Sequence, residues 1–248
     1  SARARAVRRI LPNAPAGGRE RTMNRHIFSL AGEKLAACAS GALVWPGRRL
    51  LCVADLHLGK AERIARRGGA ALPPYEIEET LDRLEADIAA IDPATVLCLG
   101  DSFDDDAAAD ALPAAARRRI ARMQAGRDWI WVAGNHDPGP AAPGGRHAVE
   151  QDSGPLVFRH AAHPGARGEI SGHYHPKARL RLPGGAVSRR AFLIDRARVI
   201  LPAYGTYTGG LAAHSPALTA LMRPDAVAVL AGPRLLVIPM PRAARAAG

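Results

Sequence analysis

Five short segments of this chain carry side chains that can bind a cation through oxygen or imidazole nitrogen: Asp55-Leu56-His57, Gly100-Asp101, Gly134-Asn135-His136-Asp137, His160, and Gly172-His173-Tyr174-His175. Carboxylate, amide and imidazole ligands suit manganese, iron, zinc or nickel, and the absence of thiolate from the set argues against a structural zinc cage. Alternate residues of an extended chain lie roughly 6.5–7 Å apart on one face, so Asp55 with His57, and His173 with His175, can converge on one ion or on neighbouring ions. The adjacent glycines let the backbone turn sharply. Each piece alone has a plain structural reading, since Asp-x-His arises by chance and Gly-Asn-His-Asp fits a turn with Asn in a left-handed position. Their joint occurrence points to metal chemistry.

Such side chains need rigid supports, and the sequence supplies them. Apolar runs over 50–54, 95–99 and 129–133 read as buried strands, and each is followed at once by one of the polar segments. An α/β sheet presents its ligand site at this position, just past the strand ends. Ile77, Leu81, Leu84, Ile88 and Ile91 recur at steps of four and three, which predicts an amphipathic helix over 75–91. A weaker helix is expected over 113–124. Beyond Pro155 short strand-like runs follow at 156–159, 169–171, 178–182, 191–194, 199–201, 226–230 and 235–238, jointed by Gly and Pro. An α/β domain of two packed sheets with helices outside accounts for both textures.

Taken together, Asp-x-His, Gly-Asp-x-x-Asp, Gly-Asn-His-Asp, a strand-end His and Gly-His-x-His resemble the signature of the calcineurin-like metallophosphoesterases. The resemblance implies a four-layer α/β/β/α sandwich of two mixed sheets flanked by helices. It also implies two divalent ions: one held by Asp55, His57 and His175, the other by Asn135, His160 and His173, with Asp101 bridging. Such a pair, roughly 3.5–4 Å apart, acidifies a water between the ions and neutralises phosphoryl oxygens. His136 stands beside the ions as the catalytic acid. Asp104 and Asp137 support the ligands, with Asp105 and Asp106 as competitors for the former role. His163 rivals His160, which is preferred because it ends a strand-like run. His26, His147 and His214 match no motif.

A narrower resemblance rests on Asp55-Leu56-His57-Leu58-Gly59-Lys60, Leu99-Gly100-Asp101-Ser102-Phe103 and the run Leu201-Pro202-Ala203-Tyr204-Gly205-Thr206-Tyr207-Thr208-Gly209-Gly210-Leu211. These are similar to the bacterial ligase-associated DNA damage response endonucleases (the PdeM family). This implies a phosphodiesterase or endonuclease acting on nucleic acid in repair, with manganese as the expected metal and an ATP-dependent DNA ligase and a helicase as expected partners. Many members carry His where this chain has Asp104. Lys60, Arg63, Arg66 and Arg67 follow the first metal motif closely and are candidates for phosphate contacts, or equally a solvated helix face.

The net charge of +11 favours a polyanionic partner, but the first 22 residues hold six Arg against one Glu, which leaves 28 cations and 22 acids elsewhere. That stretch, rich in Ala, Pro, Gly and Arg, reads as a disordered basic extension over 1–22 before a domain over 23–248, with Met23 a candidate start. Three cysteines, two of them inside apolar runs, read as reduced buried thiols of a cytoplasmic protein. No apolar run approaches the roughly 20 residues of a membrane span. Two rival readings follow from the same residues: a phosphodiesterase or phosphatase for small substrates, and a protein-binding scaffold of this fold that has lost its reaction. A missing ligand would mark the scaffold, and none is missing.

Overall fold

The computed structural model describes residues 24–69, 73, 75–137, 139, 143–182 and 185–242, so the expected extension over 1–22 and Met23 lie outside the described residues. The first sheet runs in chain order: β1 (Arg25–Leu30), β2 (Glu33–Cys38), β3 (Leu43–Trp45), β4 (Leu50–Val53), β5 (Thr95–Leu99), β6 (Asp128–Val132) and β7 (Arg146–Ala148). The first four strands are antiparallel, and β4 to β7 are parallel. Parallel neighbours need long crossovers, supplied by α1 (Lys60–Arg66) and α2 (Glu76–Ile91), then by α3 (Asp106–Asp110) and α4 (Ala114–Gln124).

The second sheet is built from β8 (Glu150–Ser153), β9 (Leu156–Arg159), β10 (Glu169–Ser171), β11 (Lys177–Leu182), β12 (Gly185–Ile194), β13 (Arg198–Ile200), β14 (Val227–Leu230) and β15 (Leu236–Pro239). Its order is β15-β14-β12-β13-β10-β9-β8, with β11 paired to β12. The strands β9, β10 and β13 are parallel. One further helix, α5 (Pro216–Leu221), lies before β14.

Apolar side chains fall into three buried layers. Ile77, Leu81, Leu84 and Ile88 of α2 and Ile120 and Met123 of α4 pack on Val53, Val96, Cys98 and Trp129. Leu97, Leu99 and Ile130 meet Phe158, Ile170, Phe192 and Val199 between the sheets. Leu218 and Met222, on and just after α5, cover Leu193, Ile200 and Ala228 on the far face. The chain is therefore the α/β/β/α sandwich the sequence predicts, and its central strands, such as β4, β5, β10 and β13, are buried on both faces. Cys38, Cys52 and Cys98 are free and buried, and burial pushes their thiols up, Cys38 to about 12. Among the described residues no helix is long and apolar enough to cross a membrane.

The predicted helix over 75–91 is α2, and its inner face does more than bury carbon. Thr80 Oγ1 accepts the Thr206 amide at 3.2 Å, and buried Asp87 accepts the Tyr204 hydroxyl at 2.9 Å. Tyr204 in turn donates its amide to Ala54 at 2.7 Å. The segment after β13 is thus clamped between α2 and the end of β4. Tyr204→Phe removes one donor from a buried carboxylate, which costs about 1–3 kcal/mol. Urea denaturation should show the midpoint falling with an unchanged slope; an unchanged midpoint would mean that this bond does not hold the segment.

Candidate metal centre

Because β4, β5 and β6 are parallel and in register, their carboxyl ends lie side by side, and Asp55, Asp101 and Asn135 follow within three residues of those ends. In the second sheet Arg159, Ser171 and Ile200 are register partners across β9, β10 and β13, so His160 and Gly172-His173 leave the same edge. The two packed sheets bring these edges together. The backbone must turn within a residue or two of each strand, and Asp55, His57, Asp101, His173 and His175 all adopt positive φ, from 45° to 71°. Each such residue costs on the order of 1–2 kcal/mol. The turns are held by amide bonds from Asp55 to Gly100 (3.2 Å), His57 to Asp101 (2.9 Å) and Leu58 to Ser102 (3.0 Å).

Glycine stands where the chain leaves no room. A Cβ on Gly100 would lie 2.2 Å from the His160 ring, on Gly134 2.1 Å from Asp101 Oδ1, on Gly172 2.6 Å from Asp55 Oδ2, and on Gly205 2.0 Å from the Leu56 carbonyl. Gly205 also donates its amide to the Asp55 backbone carbonyl at 3.0 Å. The run from Leu201 to Leu211 stands out in the sequence, but this role does not, because it is carried by backbone atoms.

Two donor sets result. Asp55, His57 and His175 form one: His175 Nε2 is 3.3 Å from Asp55 Oδ1 and 3.3 Å from His57 Nε2. Asp101, His160 and His173 form the other, with Asn135 beside them: His160 Nε2 is 3.0 Å from both Asn135 Oδ1 and His173 Nδ1 and 3.3 Å from Asp101 Oδ2. Asp101 Oδ2 also lies 3.9 Å from His57 Nε2, between the two sets. His163 is exposed and belongs to neither set, its amide bound to Glu169.

The proton positions follow from what each ring touches. His57 Nδ1 donates to Asp104 Oδ1 at 2.7 Å and His160 Nδ1 donates to the Leu99 carbonyl at 3.3 Å, so the Nε2 atoms of both turn inward as acceptors. His160 Nε2 therefore faces two oxygen acceptors, Asn135 Oδ1 and Asp101 Oδ2, an arrangement that fits a cation placed between them. Burial alone lowers His160, but the neighbouring carboxylates of Asp101 and Asp55 reverse this and raise it; His173 is lowered by burial and by His160. Burial raises Asp101, yet His160, the His136 amide and His57 bring its carboxyl down to about 2.

The supporting carboxylates are distinct. Asp104 is fully buried, and although burial raises it, the His57 bond, Lys60 and Arg63 hold it well below the usual carboxylate range. Lys60 Nζ stands 3.5 Å from it, and Arg63 Nε donates to it. Asp137 accepts the amides of Ser102 (2.7 Å), Phe103 (3.1 Å) and Gly134 (3.1 Å), pinning the loop after β5 to the loop after β6. Burial raises it to about 6, despite those amides. Asp105 caps α3 by accepting the Ala108 amide at 2.8 Å and pairs with Arg66, while Arg67 comes within 3.7 Å of it. Asp106 opens α3. His136 sets its ring edge-on to His57, with centroids 5.1 Å apart, and its Nδ1 donates to the Asp104 carbonyl at 3.0 Å. His57, Asp104 and His136 thus form a third cluster of donor atoms. His26 lies on β1, His147 on β7 and His214 on the surface, outside all three.

Gly134→Ala places its methyl against the backbone of Asp101, which cannot move aside. The variant should lose metal: at saturating manganese, elemental analysis is expected to find clearly fewer ions per chain than in the wild type. Full occupancy would show that the close passage of these two loops is not what shapes the site.

A model of the calcineurin-like phosphoesterase family matches residues 48–192, a span that includes every candidate ligand. Among solved structures, the nuclease MPE of Pseudomonas putida is similar over 87% of this chain and 100% of that chain, at 30% identity and a TM-score of 0.69. No curated protein matches. The family match and the geometry agree: the chain belongs to the calcineurin-like phosphoesterases, hydrolases of phosphoester bonds whose site holds two metal ions.

Proposed function

We propose that the chain is a phosphodiesterase that cleaves nucleic acid, with Asp55, His57 and His175 holding one divalent ion, Asn135, His160 and His173 the other, and Asp101 bridging. The observation that carries this reading is the position of Asp101 Oδ2, 3.3 Å from His160 Nε2 and 3.9 Å from His57 Nε2. The nuclease among its structural neighbours supports nucleic acid as substrate. The ligase-associated DNA damage response endonucleases remain the narrower family that the motifs resemble. A role in DNA repair and association with an ATP-dependent ligase and a helicase follow from that resemblance, manganese follows from the oxygen and imidazole ligand types, and a cytoplasmic location follows from the buried reduced thiols; all belong to the proposal.

When bound, the two ions supply Lewis-acid polarisation and charge neutralisation at phosphorus. The protein's own part lies in position and proton transfer. Asp104 fixes the tautomer of His57, and the Leu99 carbonyl fixes that of His160, so that both Nε2 atoms point inward. His136 is held by its Nδ1 proton on the Asp104 carbonyl, which leaves Nε2 to carry a second proton. As the bond to the leaving oxygen breaks, that Nε2 proton passes to the oxygen and the ring is left neutral.

His136→Ala should keep its metal and fold while turnover falls roughly 10²- to 10⁴-fold. The loss should be large for a poor leaving group and small for p-nitrophenolate, which needs no proton. Loss of metal instead would place His136 among the ligands. The substrate class is tested by returning manganese to metal-stripped protein and comparing bis-p-nitrophenyl phosphate, a phosphomonoester, cyclic nucleotides and DNA. Cleavage of the diester and of DNA is expected; turnover confined to the monoester or to cyclic nucleotides would replace this reading with the small-substrate one.

A further inference from the structure

The cations nearest the metal centre divide into two groups. Lys60 and Arg63 face Asp104, and Arg66 and Arg67 face Asp105, so the basic run after the first metal motif is matched by carboxylates. On β11 the situation is reversed. Lys177, Arg179 and Arg181 have no carboxylate within ion-pair distance among the described residues, and Lys177 Nζ donates only to the Thr208 carbonyl, at 3.1 Å.

This strand starts two residues past His175. Its alternate side chains stand on one face roughly 6.5–7 Å apart, comparable to the separation of successive phosphates in an extended nucleic-acid strand. Arg179 lies directly across from Ser188 of β12. The chain after Gly210 runs alongside, with bonds from Lys177 N to Leu211 O (2.8 Å) and from Ala213 N to Lys177 O (2.8 Å). Gly210 presses so close to His175 that a Cβ would be 2.0 Å from its carbonyl, which ties this ledge to the metal centre. Beside the ledge lies an open cleft of about 310 Å³ lined by Lys177, Arg179, Ser188, Gly210 and His214, with Ala212, Ala213 and Pro241 completing its wall. Two cations, a hydroxyl and an imidazole around one space make a donor set suited to phosphate oxygens.

We propose that this cleft and the adjoining face of β11 form a phosphate-binding subsite, which takes the backbone of a single nucleic-acid strand running on from the metal centre. Lys177, Arg179 and Arg181 hold successive phosphates, and Ser188 and His214 add further donors in the cleft beside Arg179. The proposal rests on the nuclease reading and adds the path that the substrate follows.

The test measures binding of the metal-loaded protein to a fluorescent single-stranded phosphorothioate oligonucleotide, which resists cleavage, across a series of salt concentrations. The double variant Arg179→Ala/Arg181→Ala should bind more weakly, with a log–log salt slope shallower by about 1.4, roughly 0.7 for each lost phosphate contact. Ser188→Glu, which sets a carboxylate opposite Arg179 and removes no cation, should weaken binding in the same direction. Metal content and melting temperature report that each variant is intact. Wild-type binding with unchanged affinity and slope in both variants would overturn the subsite and leave the nuclease reading standing. No oligonucleotide binding by the wild type would overturn both.

Discussion

The structure depends on holding mutually repelling acceptors against one another at the joint of two sheets. Asp55, His57, Asp101 and Asp104 are almost wholly buried, and His160 is nearly so. Unpaired charges there would cost several kcal/mol each. The fold meets this with fixed partners for each group. Both Asp55 oxygens accept the His173 amide, at 2.9 and 3.1 Å, Asp101 Oδ1 accepts the His136 amide at 2.9 Å, and the imidazoles lie between the carboxylates. Backbone amides can do this only if the chain turns back on itself directly after each strand. The positive φ angles and the glycine contacts are therefore one requirement seen twice: side chains must converge, and the backbone that carries them must pass within contact distance of its neighbours.

That requirement also explains which parts were legible in the sequence. Strands β4, β5, β6, β9 and β10 and helix α2 are buried along regular faces, so their apolar runs mark them to within a residue. The ligand motifs follow them at fixed offsets, and register in a parallel sheet does the rest. The hairpin of β1 and β2 was harder to read. Its two-residue turn is Ala31-Gly32, both at positive φ, as a type I′ turn needs, but Ala takes the place where Asn, Asp or Gly usually announces the turn. The β11–β12 hairpin extends beyond its predicted ends because Lys177 and the residues from 185 to 190 pair outside the core, where no apolar alternation is required. The short helices α1, α3 and α5 have five to seven residues each, too few for a periodic face.

Charge was the least legible feature, since counting cations near a motif does not reveal what neutralises them. Arg63 and Lys60 look like phosphate contacts in the sequence and sit against Asp104 in the fold. Lys177 and Arg179, which draw no notice in a chain so rich in Arg, have no carboxylate partner among the described residues and line a cleft two to four residues past His175. A motif names ligands because ligands lie next to each other in sequence or at strand ends. Partners of surface cations come from anywhere in the chain, so only the folded arrangement separates an available positive charge from a matched one.

Asp104 shows how far a single position can reach. The narrower family that the motifs resemble often has His there, and a neutral imidazole could still accept the His57 Nδ1 proton. It could not balance Lys60 and Arg63, both of which lie within 3.5 Å of the Asp104 carboxylate and are largely shielded from water. A His at 104 would leave two cations of α1 facing a neutral ring, and their repulsion would push the helix or its side chains outward. Asp104, Lys60 and Arg63 are thus a set: the carboxylate orients a metal-facing imidazole, and the two cations keep it ionised while fastening α1 to the site. The departure from the motif is local in sequence, yet it fixes what the neighbouring helix must carry.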